Sequence, residues 1–67
     1  MDLNEIRALV IEPFHPFALR TTSGREFKIL SPESIMVTKR SVVVEDEDGF
    51  AAIFYPTDLI ELRRMER

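Results

Sequence analysis

Cysteine and tryptophan are absent from this chain of 67 residues, glycine occurs only twice and histidine once. Without cysteine there is no disulfide, no thiolate nucleophile and no cysteine zinc site, and the composition fits a reducing compartment. Two glycines are too few for a phosphate-binding loop, which needs several ahead of a helix N-terminus, so Gly24-Arg25 reads as a turn. His15, set in Pro13-Phe14-His15-Pro16-Phe17, has no second histidine at ligand spacing and reads as a packed or surface residue. No strained nucleophile turn or oxyanion hole is marked, and the expectation is a protein that is not an enzyme and carries no cofactor. No apolar run approaches the roughly 18 residues that span a bilayer, and Asp2 and Glu5 stand where a signal peptide carries positive charge. The expectation is an untargeted cytoplasmic protein with no membrane and no small-molecule substrate.

Hydrophobic residues make up 45% of the chain and charged residues 31%, a composition that supports a packed core. The length allows one domain, residues 1–67, near the lower size limit for a core that sustains itself, so help from a second copy is expected. A net charge of -3 opposes nonspecific binding to phosphate backbones at long range but leaves room for a local basic patch.

Asp2 followed by Glu5 resembles a capping box, and Leu3, Ile6, Leu9 and Val10 recur at helical spacing, which predicts an amphipathic helix over 3–11 that Pro13 stops. From Phe17 the period changes to two. Phe17, Leu19 and Thr21 share one face of a strand over 17–22, and Phe27 and Ile29 one face of a strand over 25–30, with Ser23-Gly24 as a two-residue turn. Ser31-Pro32 starts a short helical turn. Strands are expected over 35–38 and 42–45, joined by Lys39-Arg40-Ser41 as a hairpin or as one long bent strand. The acidic run Glu45-Asp46-Glu47-Asp48 before Gly49 lacks the ligand alternation and later glutamate of a calcium loop and reads as a solvated turn. Over 50–55 neither alternating face is polar, which predicts a strand buried on both sides, covered by the helix or by another subunit. Pro56-Thr57-Asp58 interrupts it before a last strand over 59–63.

The string Tyr55-Pro56-Thr57-Asp58-Leu59-Ile60-Glu61-Leu62, eight residues long, is similar to the 3₁₀ turn and closing strand of Src-homology-type barrels, and a helix leading into the first strand resembles Sm-like proteins. The chain as a whole resembles short uncharacterised bacterial proteins with a Pro-Phe-x-Pro-Phe segment, a Gly-Arg hairpin and a later Pro-Glu turn, here Pro13 to Phe17, Gly24-Arg25 and Pro32-Glu33. The resemblance implies a mainly β (α+β) fold, an N-terminal helix followed by a five- or six-stranded antiparallel barrel; no known activity attaches to it, and it leaves function open. A polyproline reader is disfavoured by the lack of tryptophan and the single Tyr55. Sm-like RNA binders hold a base with Asp and Asn in particular loops, whereas the one asparagine, Asn4, lies in the predicted helix.

Two function classes remain. The first is a noncatalytic interaction module, self-associating or bound to another protein, with Val42, Val43, Val44, Ala51, Ile53 and Tyr55 as its interface, because these two stretches carry more apolar surface than one buried face requires. The second is an Sm-like nucleic-acid binder using Lys39, Arg40, Arg63, Arg64 and Arg67, although no aromatic residue interleaves with these for base stacking.

Overall fold

The computed structural model describes residues 1–65. Among the described residues one helix, α1 (Leu3–Val10), precedes six strands: β1 (Phe17–Thr21), β2 (Glu26–Ile29), β3 (Ile35–Val37), β4 (Val42–Glu45), β5 (Ala51–Phe54) and β6 (Leu59–Arg64). All pairings are antiparallel, in two three-stranded sheets of order β2-β1-β6 and β3-β4-β5. The class is mainly β (α+β), as expected. No closed barrel forms, because no ladder joins the two sheets among the described residues. The chain crosses between sheets at two 3₁₀ turns, Pro32–Ser34 and Pro56–Asp58, each opened by a proline that cannot donate to a ladder.

Local chemistry accounts for the elements. Asp2 caps α1 by accepting the Asn4 N–H at 2.9 Å, and Leu3 and Ile6 turn one helical face into the core. The helix lies across the sheets from the second 3₁₀ turn, where the N-terminal ammonium donates to the Pro56 carbonyl, to the β3–β4 connection, where Arg7 donates to the Thr38 carbonyl at 2.7 Å. Between the sheets Phe17, Leu19, Phe27, Ile29, Ile35, Val42, Val44 and Leu59 form one core with Leu3 and Ile6.

The first hairpin turns through three residues, Thr22 to Gly24, one more than the two-residue turn expected. Thr21 and Arg25 close it, with Thr21 N–H donating to the Arg25 carbonyl at 2.8 Å and Gly24 at φ +90°. The second sheet repeats this device between Asp46 and Phe50, with Gly49 at φ +87°. A three-residue loop needs one left-handed residue before the return strand, and in both loops that residue is glycine. The β3–β4 connection is the hairpin alternative rather than the long bent strand: Thr38 N–H donates to the Ser41 carbonyl across Lys39-Arg40.

Within the single chain the double burial expected for 50–55 is not met, and of the two covers expected the helix is not the one. β5 is an edge strand whose Ala52 and Phe54 turn toward the core while Ala51, Ile53 and Tyr55 are exposed. α1 supplies no second cover, because its buried residues enter the core between the sheets.

Candidate functional site

Strand alternation sorts the second sheet into two faces. Ile35, Val42 and Val44 face inward, and Val42 and Val44 are 0% and 1% exposed, so they belong to the core and cannot form part of an outer surface. The register then places Met36 opposite Val43 and Val43 opposite Ile53, a cross-strand row on the outer face, with Met36 58% and Ile53 61% exposed. Glu45 pairs with Ala51 on one side of this row. Here the outer face holds a shallow depression of about 160 Å³ lined by Glu33, Ser34, Met36, Val43, Glu45 and Ala51. Tyr55 is exposed beyond the opposite end of β5. Of the interface residues expected from sequence, the fold therefore brings Val43, Ala51, Ile53 and Tyr55 to the surface and withdraws Val42 and Val44. Met36 was missed. Its signal was its place between Ile35 and Val37 in a strand that pairs with β4, which puts it on the same face as Val43.

The sheet is charged oppositely at its two ends. Glu33, Glu45, Glu47 and Asp48 lie exposed at the end where β4 turns into β5, and Lys39 and Arg40 lie exposed at the end where β3 turns into β4. Asp46 at the acidic end is bound locally. Its carboxylate accepts the Phe50 and Asp48 N–H groups at 2.9 Å each and meets Arg25 at 3.3 Å. The Phe50 N–H above all, with the Asp48 N–H and the Arg25 guanidinium, holds the Asp46 carboxyl below its ordinary range against the opposing effect of desolvation. Arg25 also lies 4.5 Å from the Phe27 ring centroid, and with Asp46 it bridges a larger groove of about 470 Å³ between the two hairpins.

The basic residues expected from sequence fall into separate places. Lys39 and Arg40 sit at the β3–β4 connection, where Arg7 donates to the Thr38 carbonyl. Arg63 and Arg64 sit on β6 in the other sheet, Arg63 paired with Glu26 at 2.8 Å and Arg64 Nη2 lying 3.2 Å from His15 Nδ1. Arg67 lies outside the described residues. Among the described residues no group of three or more His, Cys, Asp or Glu could hold a metal ion, and no helix is long and apolar enough to cross a membrane. The chain matches no family model, no curated protein and no solved structure.

Proposed function

We propose that this chain is a small noncatalytic interaction module that docks through the outer face of β3-β4-β5, onto a second copy or onto a protein partner. The observation that carries the reading is the outer-face row Met36–Val43–Ile53, exposed at Met36 and Ile53 and half-buried at Val43, on a sheet whose inner face already supplies its share of the core. Valine and isoleucine suit a pleated surface, but burial of the inner face is enough to hold the sheet, so an apolar outer row is left over as a contact surface. We read the fold as an open relative of the Sm-like and Src-homology-type barrels; the order of elements and the 3₁₀ turn Pro56–Asp58 before the last strand support that reading.

The test is site-specific photocrosslinking in cells, with a photoreactive phenylalanine analogue at position 53 and, as control, at Lys28, which is exposed on the other sheet. A discrete adduct from position 53 and none from position 28 is expected, and the lack of an adduct from position 53 overturns the reading. The competing nucleic-acid reading draws on Lys39 and Arg40, but the charge of Arg63 is offset by Glu26 and the two basic groups sit on different sheets. Titration with mixed single-stranded RNA and DNA at low salt checks it, since phosphate contacts are strongest there.

A further inference from the structure

Resting on that reading, we infer that the occupant of the outer face is a second copy of this chain, packed face to face with its strands antiparallel to those of the first. Three observations converge on this arrangement. The apolar row runs across the strands through the middle of the face, from Met36 through Val43 to Ile53. One end of the same sheet carries Glu33, Glu45, Glu47 and Asp48, and the other carries Lys39 and Arg40. The depression beside Val43 and Ala51 is rimmed by the acidic residues Glu33 and Glu45.

A two-fold axis can relate two stacked sheets in two simple ways. With the axis along the strands, acidic end meets acidic end and basic end meets basic end. With the axis along the row Met36–Val43–Ile53, the strands reverse, each apolar residue meets its own counterpart, and the acidic end of one copy lies over Lys39 and Arg40 of the other. Only the second arrangement joins apolar to apolar and opposite charge to opposite charge at once, which is what a closed, self-complementary interface requires. The face is small, since three strands about 4.8 Å apart and a few residues long cover a square roughly 15 Å on a side. That is well short of the ~800 Å² each partner gives to a stable interface, so the pair is weak and concentration-dependent.

The test is sedimentation equilibrium of the purified chain from roughly 20 µM to 1 mM, at about 0.05 M and 0.5 M salt. The expected result is an apparent mass climbing from the 7.8 kDa monomer toward twice that value. The dissociation constant is expected to rise at least about threefold in high salt, because screening weakens attraction between exposed opposite charges. Ile53→Asp is expected to abolish the climb. The reversals K39E/R40E and E33K/E45K, all at exposed positions, are each expected to weaken self-association at least about tenfold, and an equimolar mixture of the two is expected to pair again. Far-ultraviolet circular dichroism of each variant shows that loss of mass is not loss of fold. A chain that stays monomeric at 1 mM overturns the inference, and the photocrosslink then decides separately whether the face binds another protein. A dimer that survives Ile53→Asp, or that tightens with salt, overturns the inference as well, because it uses a different surface or joins like ends.

Discussion

The two sheets share a three-stranded antiparallel design and the same three-residue, glycine-containing loop, yet their outer faces differ in chemistry. On β2-β1-β6 the two cross-strand rows facing outward are mostly charged, Glu26, Arg20 and Glu61 in one and Lys28, Ala18 and Arg63 in the next, with Ile60 of β6 the apolar residue exposed beside them. Arg20 pairs with Glu61 at 3.1 Å and Arg63 with Glu26 at 2.8 Å. Ala18, only 2% exposed, is flanked by its long-chained register partners Lys28 and Arg63. On β3-β4-β5 the corresponding central row is Met36, Val43 and Ile53. Both sheets contribute their inner faces to one core. The fold therefore tolerates charge on the outside of a sheet, and the apolar exterior of the second sheet is the feature on which the proposed docking role rests.

The sharpest way to break this comparison is a pair of adjacent substitutions. Val42→Asp places an unpaired charge in the core and is expected to cost more than about 4 kcal/mol, enough to unfold a domain of this size, whereas Val43→Asp on the outer face leaves the monomer folded. Circular dichroism and thermal melting of the two variants separate these outcomes; similar losses of fold in both would erase the distinction between the faces. Truncation gives the same contrast more gently. Ile29→Ala, at a fully buried position, is expected to cost about 2–5 kcal/mol in urea unfolding, and Ile53→Ala within about 0.5 kcal/mol in the dilute monomer.

The shared loop supplies a prediction in which the sheets should agree. Gly24→Ala and Gly49→Ala meet no neighbouring atom within 4 Å, so each is expected to lose about 1 kcal/mol through backbone strain alone. The smallest effect concerns Asp46, which joins the β4–β5 hairpin to Arg25 of the β1–β2 hairpin. Its carboxyl titrates below the ordinary value of 3.8, so the folded state binds fewer protons than the unfolded one in that range. Its stabilisation is present above that ordinary value and is lost as pH falls through the lower folded one. Asp46→Asn is expected to flatten the fall in melting temperature across that acidic window, as checked by melting curves taken at successive pH values.

Much of this architecture is legible in the residues. The change from helical spacing in α1 to alternation in β1 and β2 locates the first half of the fold, and Pro32 and Pro56 mark both crossings between sheets. Chemistry local to a few residues decides these features, so they can be read without knowing the partners. The first hairpin was read one residue short because Ser23-Gly24 satisfies a two-residue turn as well as a three-residue one, and the choice depends on Thr21 pairing with Arg25.

The outer face of the second sheet was only partly legible, for a related reason. The run Val42-Val43-Val44 is apolar at every position, so its sequence carries no alternation to separate inside from outside. Met36 is one residue in a strand of three, too short for a period to stand out. Residues 50–55 have apolar residues on both sides, and their sequence alone is equally compatible with a central strand and an edge strand.

By itself the sequence determined the element types, the two proline turns and the glycine positions of the loops, all set by backbone geometry and spacing along the chain. Tertiary structure alone decided that β5 lies at an edge, that Val42 and Val44 turn inward while Val43 aligns with Met36 and Ile53, and that the arginines of β6 stand on a different sheet from Lys39 and Arg40. The reason is that strand neighbours come from distant parts of the chain, and a side chain's exposure depends on what those neighbours leave uncovered.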